Sequence, residues 1–254
     1  MLVLAPRGDG SSRHRTMART RRSLVALALI AITTSVGTAQ PSAGTTGELR
    51  LDNLSGLQLQ GVRADIVTYR GRRAVHLLEQ PGAGTADWKA PGEAMAIIIG
   101  SDFTDGVIEA ELSGAPKAGA AEGSRGFVGV AFRVPPGGSS FECFYLRPTN
   151  GRADDQLRRN HSTQYISFPD YPWERLRKET PGVYESYVDL EPGVWTTIRI
   201  VVEGSKARLY VNGATQPTLI VNDLKLGATR GAIALWTGPD TEAYFSRLTV
   251  KPGA

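Results

Sequence analysis

Apolar and polar residues alternate along this chain in short runs, and Gly, Pro, Asn and Asp separate the runs. Period-two runs bounded by turn residues predict strands. They fall at 74–78, 95–99, 107–112, 127–134, 141–146, 164–168, 184–190, 195–202, 207–211, 218–221, 232–236 and 244–250. No stretch carries the 3.6-residue period of a long amphipathic helix; 174–178 suffices for one turn. About a dozen strands in one unit predict an all-β fold, a two-sheet antiparallel jelly-roll sandwich. The turns agree: Asn212-Gly213 closes a hairpin, and Pro135-Pro136-Gly137-Gly138 links the runs ending at Val134 and starting at Phe141. In an antiparallel hairpin of that length Arg133 faces Glu142. The pair then lies on a sheet face beside Ala131 and Phe144, with Phe132, Val130, Cys143 and Tyr145 on the other.

The first 39 residues read differently. Arg19, Arg21 and Arg22 precede an apolar run from Leu24 to Ile32, and small residues follow to Ala39. This is the pattern of a cleavable secretory signal, too short to span a bilayer. Residues 1–16 read as an upstream start before Met17, and 40–47 (QPSAGTTG) as a flexible tether to a single domain at 48–254. The expected location is therefore secreted or periplasmic, without a membrane anchor. The segment also explains the charge. The whole chain has a net charge of +4, but the first 39 residues hold six Arg and one Asp. What remains carries 23 basic and 24 acidic residues, which removes the main argument for a nucleic-acid partner. Cys143 is the one cysteine, so no disulfide can form within the chain; it sits in an apolar strand as a core residue.

Within this plain pattern, residues 147–185 stand apart as an insertion rich in charges, aromatics and prolines. Ordering so long a connection implies a function for it. Arg147, Asn150, Arg152, Asp154 and Asp155 cluster around an Asn-Gly turn, where they can contact sugar hydroxyls or simply stabilise a loop. Calcium through Asp154 and Asp155 is a secondary reading, since no Asp-x-Asp-x-Asp loop is present; no cofactor is expected. His161 follows Arg158 and Arg159, whose charges favour its neutral form and a proton-transfer role; a hydrogen-bonded loop histidine is the alternative. Tyr171 and Trp173 suit stacking on a sugar ring or covering the core, and Arg175 begins a basic run to Lys178 that reads as solvated surface or as an anion contact. No hydrolase nucleophile elbow, phosphate loop, zinc spacing or dinucleotide fingerprint appears.

Three segments carry a resemblance: F-x-x-G-V-I-E-A-E-L from Phe103, the run from Gly193 to Gly213 (GVWTTIRIVVEGSKARLYVNG), and AYFSRLTV from Ala243. Together they resemble the concanavalin-A-like lectin/glucanase superfamily, which includes laminin-G-like domains. Within it the chain is most similar to the bacterial 3-keto-disaccharide hydrolase-like family. The resemblance covers roughly 103–250. It implies that Arg133 binds substrate and that Glu142 is a catalytic acid or base, both retained although the Ser and Tyr of the family pattern are replaced. The Glu-x-Asp-x-x-Glu run of laminarinase-type glucanases is missing; Glu109-x-Glu111 comes nearest.

The expectation is thus an exported, monomeric, carbohydrate-active sandwich. It is a glycoside hydrolase with catalytic Glu142 and His161, or a non-catalytic glycan-binding module, or a laminin-G-like protein-interaction domain. Arg133, Arg147, Asn150, Arg152, Asp154, Asp155, Tyr171, Trp173 and Arg175 are its expected carbohydrate contacts.

Overall fold

A computed structural model describes residues 47–49, 51–80 and 94–253. The expected signal segment lies outside these residues. So does the tether, apart from Gly47, which already belongs to the first strand. In chain order the strands are β1 (Gly47–Leu49), β2 (Leu57–Gln60), β3 (Val62–Tyr69), β4 (Arg72–Glu79), β5 (Met95–Ile98), β6 (Gly106–Pro116), β7 (Val128–Val134) and β8 (Phe141–Leu146). They continue with β9 (Thr163–Phe168), β10 (Glu185–Ser186), β11 (Thr196–Glu203), β12 (Lys206–Val211), β13 (Leu219–Val221), β14 (Ala232–Thr237) and β15 (Thr241–Pro252). A 3-10 turn (Pro148–Asn150) and two short helices, α1 (Gln156–Arg159) and α2 (Trp173–Glu179), fill the stretch between β8 and β10.

The strands form two antiparallel sheets packed as a sandwich. One runs β13-β12-β11-β6-β15-β4-β3, with β1 also on β15; the other runs β10-β9-β8-β7-β14-β5-β2. In the first sheet the alternation of the sequence becomes an alternation of burial. Ile108, Ala110 and Leu112 of β6 and Ile198, Ile200 and Val202 of β11 are buried, while Glu109 and Glu111 retain solvent contact. That is a sheet with one dry face. The second sheet differs, because every residue of β7 and β8 is buried. Both of its faces are covered, and α2 packs on β9 through Leu176. Cys143 lies in β8, between β9 and β7 in this sheet, fully buried and unpaired. Burial pushes its thiol well above the ordinary range, as expected where a thiolate would have no solvent.

Three expectations change. Strands β2 and β3 were not anticipated: LQLQ is too short and VRADIVTY too charged to stand out, and both end up at sheet edges where half the positions meet water. The run expected at 184–190 contracts to the two residues of β10. The hairpin register also shifts. Phe132, not Arg133, is opposite Glu142, and Ala131 is opposite Cys143. Arg133 has a left-handed backbone with φ of 57°, and the β14–β7 pairing changes register at this point. Such a bulge inserts one residue and re-aims its side chain. Phe132, Phe144 and Val130 therefore share a face with Glu142, and Ala131, Cys143 and Tyr145 occupy the other. The residues at 174–178 do form a helical turn, inside α2.

Candidate functional site

The residues expected to act together fall into two groups. Arg133, turned out of the ladder by its bulge, buries its guanidinium under three backbone carbonyls. Nη2 donates to Thr104 O (2.8 Å) and Gly204 O (2.6 Å), Nε to Thr104 O (3.0 Å), and Nη1 to Gly227 O. Asp105 lies 3.2 Å from Nη2 and also accepts the Gly204 N–H at 2.7 Å. Glu142 is fully buried nearby in sequence but differently engaged. Its Oε1 accepts the Leu226 N–H (2.7 Å) and its Oε2 the Tyr165 hydroxyl, whose oxygen in turn accepts the Lys225 N–H at 2.9 Å. Burial raises the Glu142 carboxyl above the usual carboxylate range, and these hydrogen bonds pull it only partly back. Both side chains thus tie the connection between β13 and β14 to the second sheet. The expected Arg133–Glu142 substrate pair is replaced by two separate clamps, because a one-residue bulge alters which carbonyls Arg133 can reach.

The second group lines a half-open cavity of about 420 Å³. It lies where β8 ends, β9 begins and the loop before β7 returns. Its wall includes Arg125, Phe127, Arg147, Asn150, Asp155, Leu157, Arg158, His161, Trp173 and Arg177. Local structure places each of the chief groups. Asp155 caps α1 by accepting the Arg158 N–H at 2.9 Å, which turns Leu157 and Arg158 toward the opening. Asn150 is buried; its amide donates to His161 O (3.0 Å) and its carbonyl accepts from Arg158 Nε (2.9 Å). One asparagine therefore joins the turn after β8 to α1 and to the loop that leads into β9. Arg147, only 4 % exposed, donates to the Tyr145 hydroxyl (2.8 Å) and to His161 O (3.3 Å). Its guanidinium sits 5.1 Å from the Tyr145 ring centre and 5.6 Å from that of Trp173.

His161 Nε2 stands 2.8 Å from Glu185 Oε2. Arg177 donates through Nε to the other oxygen of the same carboxylate at 2.8 Å, and its guanidinium lies over the Trp173 ring at 4.4 Å. The imidazole pKa falls below its ordinary value. Burial is the main cause, with Arg177 and Arg147 adding to it against the opposing pull of Glu185. The neutral form follows, as the flanking charges suggested, but the cations responsible are Arg177 and Arg147 rather than the sequence neighbours Arg158 and Arg159.

Of the expected contacts, Arg147, Asn150, Asp155, His161 and Trp173 share this wall. The others do not. Arg152 is exposed and ion-paired with Asp189 (2.7 Å) and Glu191. Asp154 is exposed. Arg175 pairs with Glu179 at 2.8 Å and covers the Tyr171 ring at 4.2 Å. The aromatic faces of Tyr171 and Trp173 are thus engaged by cations. Arg125, Phe127, Leu157, Arg158 and Glu185 belong to the site without having been singled out for it, and Arg177 entered only as part of the basic run 175–178; the charge density of 147–185 hinted at Arg158 and Glu185. Among the described residues, no group of three or more His, Cys, Asp or Glu side chains could hold a metal ion. No described helix is long and apolar enough to cross a membrane.

No family model matches the chain, and no curated protein sequence matches it. Solved structures do. A carbohydrate-binding module from Bacillus subtilis is similar over 78 % of this chain and 95 % of its own, with 11 % identity and a TM-score of 0.51. A Bacillus subtilis protein of unknown function with a galectin-like fold is 11 % identical over 82 % of this chain and 97 % of its own, with a TM-score of 0.48. What the chain shares with the first is its fold, a two-sheet antiparallel sandwich, as the alternation of the sequence led us to expect.

Proposed function

We propose that this protein binds a saccharide in the cavity walled by Arg147, Asn150, Asp155, His161 and Trp173, and that residues 1–39 direct its export. The observation that carries the reading is the cavity itself. It has the volume of a small-ligand site, and its wall joins a few fixed hydrogen-bonding groups to apolar surface from Phe127 and Leu157. The segment that sequence reasoning singled out, 147–185, supplies most of that wall. The fold agrees with this reading, since a carbohydrate-binding module is built the same way.

A second reading, saccharide cleavage, draws on His161. A neutral imidazole beside a buried carboxylate places the two groups that a general base and its partner need within reach of each other. A hydrolase of the usual kind places two carboxyl groups across the scissile bond. Here Glu185 is held by His161 and Arg177, and Glu142 is clamped to Leu226 and Tyr165. Binding is therefore the reading the geometry favours, without the acid–base role for Glu142 that the 3-keto-disaccharide hydrolase-like resemblance implies.

The test is calorimetric titration of the purified protein with a panel of neutral and acidic oligosaccharides, beside Asn150→Ala and His161→Gln. Saturable binding that Asn150→Ala weakens supports the reading; a panel with no binder overturns it. Mass spectrometry of the same mixtures decides on cleavage, which His161→Gln should abolish if it occurs.

A further inference from the structure

Four guanidinium groups, those of Arg125, Arg147, Arg158 and Arg177, converge on the cavity wall. Buried or half-buried arginines ordinarily meet carboxylates, which offset the loss of hydration. Arg177 does so, through Glu185. The other three donate their side-chain hydrogen bonds to neutral acceptors, and the Glu122 carboxylate acts on Arg125 only through space. Arg147 donates to a tyrosine hydroxyl and a peptide carbonyl. Arg158 donates to the Asn150 carbonyl and the Thr149 hydroxyl. Arg125 donates to the carbonyls of Glu122 and Ser124. The one other carboxylate on the wall, Asp155, accepts the Arg158 backbone N–H. The three charges also act on one another: the Arg125 pKa is lowered by burial first, then by Arg158 and Arg147, against a smaller opposing pull from Glu122. An arrangement of like charges around a half-open cavity is unfavourable for the free protein, and a ligand carrying the opposite charge reverses its sign.

From this convergence we propose that the saccharide held in the cavity is an acidic one, whose carboxylate or sulfate group is received by Arg125, Arg147 and Arg158. The proposal rests on the saccharide reading above and specifies its chemical class. Arg147 is the fixed element: it is nearly fully buried and held between the Tyr145 and Trp173 rings, so its guanidinium is set before the ligand arrives. Arg125 and Arg158, less buried, close on the same anion from the loop before β7 and from α1. Phe127 and Leu157 provide apolar surface for the C–H face of the sugar ring.

The experiment is calorimetric titration of the purified protein at low salt with three probes of equal length: an oligogalacturonate, the neutral oligogalactoside, and a sulfated oligogalactoside. Arg125→Gln and Arg158→Gln are titrated beside the native protein, with thermal unfolding to confirm that each variant folds. Arg147→Met is omitted from the decisive set because its burial makes misfolding the simpler outcome. An acidic probe binding about tenfold or more tighter than the neutral one supports the proposal, provided each Gln variant loses on the order of tenfold for that probe alone, the scale of one charge-assisted hydrogen bond. Which acidic probe wins separates a planar carboxylate from a tetrahedral sulfate. The preference should also shrink as salt is raised to about 0.2 M. Arg152→Gln, an exposed ion-paired arginine away from the cavity wall, should leave it unchanged. Equal affinity for neutral and acidic probes overturns the proposal and leaves the saccharide reading intact. If none of the three binds, both fall.

Discussion

Replacing Glu142 with Ala asks whether this carboxylate holds the fold or performs chemistry. The substitution deletes the acceptor of two buried donors, the Leu226 N–H and the Tyr165 hydroxyl. Each orphaned donor costs about 1–3 kcal/mol. Removing the buried charge returns part of its desolvation, so we expect a net loss of roughly 4 kcal/mol. That is a large share of the ~5–15 kcal/mol that holds a domain folded. For a domain of this size each kcal/mol lowers Tm by about 2–4 °C, which gives a fall of roughly 8–16 °C. Differential scanning calorimetry on the native protein and Glu142→Ala measures it directly, and ligand titration well below the lowered Tm follows. We expect unchanged affinity in the folded variant. A Tm within about 2 °C of the native value together with lost binding or activity would refute the structural assignment, because only a ligand-facing carboxylate behaves that way.

The same group sets a pH dependence. A carboxyl whose folded pKa is raised binds its proton more tightly when folded, so stability contributed by the protonated form is lost as pH rises from the ordinary Glu value through the raised one. Stability measured against pH should show that decline above about pH 4.5, and Glu142→Gln should flatten it. His161 runs the other way. Its pKa is depressed, so stability falls as pH drops from 6.5 toward the folded value, and NMR titration should find it below 6.5. Glu185→Gln removes the one strong raising influence and should depress the His161 pKa further; an increase would show that the His161–Glu185 contact is misassigned. Gly129→Ala should destabilise by several kcal/mol, on the order of 3, since an added Cβ would stand 2.3 Å from the Phe144 carbonyl oxygen in the adjoining strand. A variant with native Tm would mean that β7 and β8 can part without loss.

Alternation and turn chemistry made the sandwich legible before any coordinates, because Ile108, Ala110 and Leu112 or Ile198, Ile200 and Val202 repeat at the period of a strand. Edge strands such as β3 escaped, since Arg63 and Asp65 meet water and erase the apolar signal. The site was legible in position and only partly in membership. An ordered, charged insertion marked 147–185, but the wall also uses Arg125 from a loop more than twenty residues upstream, which no local pattern connects to it. Arg133 and Glu142 show the opposite failure. Their pairing followed from counting residues around the Pro-Pro-Gly-Gly turn, and a single left-handed residue at 133 changed the count. Buried charge on a strand looks alike in sequence whether it receives a ligand or fastens a loop. Only the identity of the acceptors distinguishes the two, and those acceptors are backbone groups from distant segments.

Cys143 gives this architecture a built-in clock. One thiol, sealed in an inner strand of the sheet that supports the cavity, meets no reagent in solution until β8 is exposed. The rate of its alkylation under native conditions therefore counts excursions in which that sheet opens, without a label or an engineered reporter. Fraying of β3 or motion of the loop before β7 would leave the count unchanged. A ligand that truly joins the ends of β8 and β9 must slow it, in proportion to how tightly it binds.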